Sequence, residues 1–80
     1  MCMPTVLRIK GFRFFFFSND IKEPVHIHVE SEEKYAKFWL DPVQLAKSVG
    51  YNAKELSKIR NLIIENSNTF KRKWDEYFHH

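Results

Sequence analysis

The sequence of 80 residues has little of several residue types, and each shortage excludes a class of protein. It contains 1 cysteine, 2 glycines and 3 prolines, which excludes a disulfide-stapled domain, a collagen-like chain and a flexible linker. Its uncharged runs, such as residues 14–19, are all too short to cross a bilayer. No signal peptide opens the chain, so we expect a cytoplasmic protein in which Cys2 stays reduced.

What the sequence does contain is typical of one small folded domain. It is 44% hydrophobic, 29% charged and 16% aromatic, which excludes a disordered tail. A chain of this length buries only about 60% of its unfolded surface, so stabilisation by a homo-oligomer or a bound partner stays open. The formal net charge of +3 permits a nucleic-acid partner without requiring one.

The first half alternates apolar and polar residues in a way that predicts four strands. We place them at about residues 5–10, 12–17, 26–29 and 35–40, with a tight turn at Lys10-Gly11 between the first two. Four consecutive phenylalanines, residues 14–17, put aromatic rings on both faces of the second strand. That strand is therefore either covered on both faces or has one face that awaits a partner.

Residue 41 marks a predicted change from strand to helix. Asp41 as N-cap, Pro42 in the first helical position and Gln44 three residues after the cap predict a short helix that Gly50 ends. A second capping box, Asn52 with Glu55, predicts another helical segment.

Apolar residues continue at helical spacing to Phe78, but residues 66–68 are poor helix formers. The segment is therefore either one long helix with a weak middle or two helices with a break at these residues. We expect a single α+β domain over residues 1–80. In it, a four-stranded antiparallel sheet (about residues 5–40) carries helices (about residues 42–78) on one face.

Two histidines are the first candidates for chemistry. His26 and His28 lie two residues apart on a predicted strand, so both imidazoles leave the same face, roughly 6.5–7 Å apart. They can converge on one metal ion, or flank a phosphodiester as an acid and a base. His26 and His28 alternate with the apolar residues Ile27 and Val29, which predicts that the histidines lie on the strand face away from the core. The third interpretation is therefore that both histidines are solvated or interfacial.

A metal site at His26 and His28 is the disfavoured alternative, and we expect no cofactor. Neither a pair of Cys-x-x-Cys motifs nor His-Glu-x-x-His is present. A third ligand would have to come from Asp20, Glu23, Glu30 or the two C-terminal histidines. His79 and His80 are set aside, because they are either native or the remnant of a purification tag.

Basic and aromatic residues on the predicted strands suggest a surface for nucleic acid. We name Arg8, Arg13, Lys37 and Trp39 as candidate RNA-binding residues. A sheet face with basic and aromatic side chains can bind RNA phosphates and stack on RNA bases. Arg13 with His26 and His28 forms the candidate catalytic set of a metal-independent ribonuclease, in which the cation stabilises the phosphorane. The alternative is that lysine and arginine only keep an exposed sheet face hydrated.

Several segments together resemble a known family. They are RFFF at residues 13–16 leading to Ser18-Asn19, PVHIHV at 24–29, AKFWLDPV at 36–43 and WDEYF at 74–78. In this order they resemble the small prokaryotic family called domain of unknown function 4160, over residues 3–78. The chain departs from the pattern at Val25, where members often carry a second proline, and in the two residues Met1-Cys2 before the usual start.

The resemblance implies one half of a two-gene unit. Members lie beside a gene for another small family, domain of unknown function 2442, in pairs that resemble toxin–antitoxin modules, and this family would be the toxin. Residue by residue, the match points to His26, His28 and Arg13. We therefore expect a toxin-like protein that acts on RNA or translation, with an antitoxin-like partner and no membrane.

Two alternatives stay open. In one, the chain is a binding module without enzymatic activity, whose sheet face or phenylalanine-rich strand docks the neighbouring gene product. In the other, it is a metal-binding His-x-His protein.

Overall fold

The computed structural model describes residues 2–78 of the chain. It is an α+β fold in which the strands come first and the helices last. The elements are β1 (Cys2–Ile9), β2 (Phe12–Phe17), a 3-10 helix (Asp20–Lys22), β3 (His26–Ser31), β4 (Lys34–Leu40), β5 (Val43–Val49), α1 (Ala53–Glu65) and α2 (Ser67–Phe78).

The sheet is an antiparallel meander, as expected, with each strand paired to the next along the chain in the order β1-β2-β3-β4-β5. The predicted turn joins β1 to β2. Its two residues, Lys10 and Gly11, have φ of 51° and 87°, the left-handed values that match the twist of the flanking strands in a two-residue hairpin.

The prediction of four strands is wrong, because residues 43–49 form β5 and not a helix. Asp41 and Pro42 make the turn of a β4–β5 hairpin, with a cis peptide bond between them, and are not a helix cap. An Asp-Pro pair serves turns as well as helix starts. A seven-residue helix is marginal by itself, whereas in β5 the backbone pairs with β4 from Val43 to Val49.

The second predicted capping box is confirmed. The side-chain oxygen of Asn52 accepts a hydrogen bond from the Glu55 N–H at 2.8 Å, and the Glu55 carboxylate accepts one from the Asn52 N–H at 3.0 Å. The two-helix alternative is also correct. Asn66 interrupts the helical structure between α1 and α2. Its side-chain amide donates a hydrogen bond to the carbonyl oxygen of Leu62 at 2.8 Å.

The helices cover one face of the sheet and form the core with it. Phe14 packs on Phe70 with ring centroids 5.2 Å apart, and Phe16 meets Trp74 edge-on at 5.3 Å. Each fully buried aromatic side chain contributes about 1.5–3 kcal/mol by leaving water. The remaining buried apolar residues of this core are Phe12, Ile27, Val29, Ala36, Phe38, Leu40, Tyr51, Ile59, Leu62 and Ile63.

The opposite face of the sheet is covered as well. Phe15 is buried there and Phe17 is half-buried, so β2 is a strand with apolar cover on both faces, one of the two alternatives that its phenylalanines predicted. Asp20, in the segment that joins β2 to β3, is buried against this face. The segment of residues 18–25 therefore folds back over the sheet.

Within residues 2–78, no helix is both long enough and apolar enough to cross a membrane.

Asn52→Ala is expected to lower the free energy of unfolding by about 1 kcal/mol, because it removes the acceptor that caps α1. Chemical denaturation measures the change. The matched control is Asn61→Ala on an exposed position inside α1, which should leave stability unchanged or slightly raised, since alanine is the better helix former. Equal losses in both variants would contradict the capping role.

Candidate functional site

The candidate site lies on the sheet face opposite the helices, and β3 supplies its histidines. His26 pairs across the sheet with Trp39, and His28 pairs with Lys37 on β4 and with Phe15 on β2. Directly opposite residues of antiparallel strands share a face. The prediction that His26 and His28 leave the same face is therefore confirmed, and Lys37 and Trp39 lie on that face beside them.

The alternative in which both histidines are solvated is wrong. His26 is 0% and His28 4% exposed. His28 stacks on Phe15 and on Tyr35, at 5.4 and 5.8 Å between ring centroids. Alternation along β3 could not reveal this cover, because it comes from residues 18–25, from neighbouring strands and, for His26, from α2.

His26 sits between the two tryptophans. Its ring lies 5.6 Å from that of Trp39 on β4 and 5.2 Å from that of Trp74 on α2. The two histidine rings meet edge-on at 4.9 Å. Together with the carbonyl oxygen of Pro24, 2.7 Å from Nδ1 of His26, these contacts enclose the imidazole completely.

A buried carboxylate joins the two histidines. Asp20 is 6% exposed, and its Oδ2 accepts hydrogen bonds from the Phe17 N–H at 2.7 Å and from Nε2 of His28 at 2.9 Å. Its Oδ1 lies 3.1 Å from Nε2 of His26. Both imidazoles therefore present the same nitrogen to one carboxylate.

Hydrogen bonds fix the protonation of His28. Its Nε2 carries the proton donated to Asp20, so in the neutral ring Nδ1 accepts from the Tyr35 hydroxyl at 2.7 Å. Burial lowers the pKa of His28, against the opposing effect of the Asp20 charge. Burial, reinforced by the charges of Asp20 and Glu23, raises the pKa of Tyr35. We call this arrangement the Asp20–His28–Tyr35 chain.

His26 is held differently. The Pro24 carbonyl can only accept, so Nδ1 of His26 carries a proton and donates it at 2.7 Å. Nε2 of His26 is buried and makes no hydrogen bond among the described residues, although it lies 3.1 Å from Asp20 and 3.9 Å from Oε1 of Glu23. The short distance to Asp20 lacks the alignment that a hydrogen bond requires.

A cleft of about 380 Å³ opens above the Asp20–His28–Tyr35 chain. Besides those three residues it is lined by Asn19, Lys22, Glu23, Lys37 and Lys47. Lys37 donates to Glu23 at 2.6 Å and lies 4.6 Å above the ring of Trp39. We call this the lysine-lined cleft, because three lysines surround it against two carboxylates.

The two predicted arginines do not line the cleft. Arg13 lies on the same sheet face, where it donates to Thr5 and to Glu30, both at 2.7 Å, and covers the ring of Phe15 at 4.4 Å. Arg8 is exposed and pairs across the sheet with Arg13. The structure therefore brings His26, His28, Lys37 and Trp39 together and places Arg8 and Arg13 outside the cleft.

Sequence reasoning missed several lining residues for identifiable reasons. Asp20 appeared only as one of several metal-ligand candidates, since nothing in a Ser-Asn-Asp turn shows that the carboxylate will be buried. Tyr35 begins the fourth predicted strand, and nothing in the sequence pattern gives it a role. Lys47 was assigned to a helix and lies instead on β5.

Tyr35→Phe is expected to lower the free energy of unfolding by about 1–3 kcal/mol, because it leaves the buried Nδ1 of His28 without a partner. Tyr51→Phe is the matched control. It also removes one hydroxyl, bonded at 2.8 Å to Ser31, but Ser31 is only half-buried and can bond water instead. Chemical denaturation should therefore give the smaller loss for Tyr51→Phe, and equal losses would contradict a stabilising hydrogen bond between Tyr35 and the buried His28.

Comparison with known proteins gives one result. No curated protein and no solved structure matches the chain. The profile of the family described as Domain of unknown function (DUF4160) matches residues 11–75, a stretch that includes β2, β3 and β4 and every residue of the lysine-lined cleft. The chain belongs to the DUF4160 family.

Proposed function

We propose that this protein is the toxin-like component of a toxin–antitoxin pair and that it acts on RNA at the lysine-lined cleft. One observation carries the proposal. Three lysines surround a cleft whose floor is a chain of hydrogen-bonded side chains, Asp20–His28–Tyr35, in which Asp20 and His28 are buried and Tyr35 is half-buried. Buried polar networks of this kind next to a cleft are typical of functional sites. The pairing with an antitoxin rests on the family resemblance of the sequence.

The charges of the cleft favour a phosphate group. Asp20 is buried and hydrogen-bonded, and Glu23 is paired with Lys37. Among the described residues, neither Lys22 nor Lys47 pairs with a carboxylate. These two ammonium groups are therefore available to phosphate oxygens, and single-stranded RNA supplies phosphates at regular spacing.

The aromatic residues of the cleft fit the same ligand. Tyr35 lines the cleft, and the ring of Trp39 lies 4.6 Å from Nζ of Lys37, which also lines it. Aromatic rings beside lysines are the usual surface on which unpaired bases stack. We propose that a base stacks on the Tyr35 ring and that His28, which accepts the hydrogen bond of the Tyr35 hydroxyl, orients that ring.

This proposal changes the roles assigned to the candidate catalytic set. His28 acts through Tyr35 as a positioning residue, and His26 lies deeper, fully buried. Arg13 is bonded to Thr5 and Glu30 outside the cleft. Arg13 and Arg8 then extend the basic surface along the RNA backbone and do not contact the phosphate in the cleft.

The double variant Lys22→Ala/Lys47→Ala should bind single-stranded RNA more weakly and lose growth arrest on induced expression in a bacterial host. If each lysine neutralises one phosphate, the slope of log affinity against log salt falls by about 1.4 in magnitude. Fluorescence anisotropy with an RNA oligonucleotide at several salt concentrations measures that slope.

The control is Lys54→Ala/Lys58→Ala, which removes the same charge from exposed positions of α1. It should keep both the affinity and the growth arrest. Equal effects of the two double variants would show that RNA affinity depends only on the net charge of the protein. That result would contradict the cleft as the RNA-binding site.

A second candidate function is a binding module for the neighbouring gene product. The observation that favours it is β5, an edge strand with Leu45 and Val49 exposed at 42% and 51%. Edge strands offer unpaired backbone groups to a partner strand, and exposed apolar side chains add to such pairing. We propose a strand of the antitoxin-like protein as the occupant.

Leu45→Glu/Val49→Glu should abolish co-purification with the partner, because it places charges on the docking edge. Ile64→Glu is the control, since Ile64 is 45% exposed on α1, outside the sheet. Co-expression followed by size-exclusion chromatography gives the stoichiometry. Retention of the complex by the β5 variant would contradict this docking edge.

A further inference from the structure

We propose that Asp20, His26 and His28 bind a divalent first-row transition-metal ion, of the Zn²⁺ type, at the floor of the lysine-lined cleft. The proposal goes beyond action on RNA and does not depend on it, because it rests on the geometry of three side chains. Of the four candidate sources of a third ligand that the sequence offered, the structure brings Asp20 to both histidines.

The ligand atoms of the three residues converge. They all lie within 4.8 Å of one another, and the carboxylate oxygens of Asp20 are 3.1 Å from Nε2 of His26 and 2.9 Å from Nε2 of His28. Bonds of about 2.0–2.2 Å to one zinc ion place two ligands roughly 3.3–3.5 Å apart in a tetrahedral site. Small side-chain rotations therefore suffice to share one ion.

The outer nitrogens of both histidines are already held as in metal sites. Nδ1 of His26 donates to the Pro24 carbonyl, and Nδ1 of His28 lies 2.7 Å from the Tyr35 hydroxyl. A metal-bound histidine almost always uses its second nitrogen in this way, which orients the ring and strengthens the ligand. With the ion bound at Nε2, His28 would carry its proton on Nδ1 and donate it to Tyr35.

The second and independent observation is the unsatisfied nitrogen of His26. Nε2 of this ring is buried, has no hydrogen bond among the described residues and lies 3.1 Å from Oδ1 of Asp20. In the neutral ring this nitrogen carries a lone pair close to an anionic oxygen, an unfavourable contact that a cation bound by both atoms would relieve. A metal ion supplies that cation.

The site has access for an additional ligand. Asp20 and His28 line the cleft, and Oε1 of Glu23 is 3.9 Å from Nε2 of His26. Three protein ligands with an open position are typical of a reactive metal centre, whereas structural zinc sites are closed by four. Two imidazoles and one carboxylate favour zinc and its neighbours over magnesium or calcium.

The ion would also change the charge of the cleft. Its lining carries three lysines and two carboxylates, and a divalent cation adds two positive charges beside them. An anionic oxygen, such as that of a phosphate, would then meet both the metal and the lysines.

Zn²⁺ alone is the probe. The full chain, purified without an added affinity tag and stripped with a chelator, is titrated with Zn²⁺ by calorimetry, and we expect one ion per chain. His79→Ala/His80→Ala should bind the same single ion with unchanged affinity. Absence of stoichiometric binding, or binding that disappears with His79 and His80, would overturn the proposal.

His26→Asn is the decisive variant, because asparagine can keep a donor for the Pro24 carbonyl while it removes Nε2. We expect its affinity for Zn²⁺ to fall at least about 100-fold, beyond the usual effect of losing an outer hydrogen bond. Circular dichroism confirms that it folds. An affinity equal to that of the parent chain would sink the proposed site.

If His26→Asn does not fold, Tyr35→Phe decides, since it leaves all three ligands in place and removes only the partner of Nδ1 of His28. A 10–100-fold loss of Zn²⁺ affinity is then expected, and an unchanged affinity would overturn the assignment. Neither titration contains RNA. The metal site can therefore fail while RNA binding at Lys22 and Lys47 stands, and the reverse also holds.

Discussion

One buried carboxylate holds the second face of the sheet together. Asp20 accepts the N–H of Phe17 on β2 and the ring N–H of His28 on β3, so it ties the connecting segment to both strands that it joins. An ionised carboxylate buried without partners costs several kcal/mol, and these hydrogen bonds offset that cost. Without Asp20, residues 18–25 would lose this anchor, and His26 and His28 would lose a carboxylate that lies about 3 Å from each ring.

The fold was predictable wherever a local pattern had a single interpretation. The alternation in β3 and β4, the Lys10-Gly11 turn and the Asn52–Glu55 capping box all formed as expected. Residues 41–50 did not, because Asp-Pro with a later glutamine suits both a turn and a helix start. The pairing of β5 with β4 decided between them, and pairing between segments is a tertiary property that no local pattern contains.

The sequence predicts the sheet face on which the two histidines lie, but not their burial or their hydrogen-bond partners. The period of a strand places His26 and His28 on one face of β3, and Lys37 and Trp39 on one face of β4. The pairing of β3 with β4 brings the two pairs of residues side by side. The period does not show that the 3-10 helix will bring Asp20 over this face. Nor does it show that the Arg13 side chain will donate its hydrogen bonds to Thr5 and Glu30. Burial and hydrogen-bond partners arise from segments distant in sequence, and they are what turn two histidines on a strand into a candidate site.

The packing of His26 has a consequence for spectroscopy. The chain has 2 tryptophans, and both Trp39 and Trp74 lie in ring contact with His26, at 5.6 and 5.2 Å. One indole comes from the sheet and the other from the last helix, so the whole tryptophan emission of the protein originates beside a single imidazole. The intrinsic fluorescence therefore reports on the immediate surroundings of His26 without any label, and it does so from both layers of the fold at once.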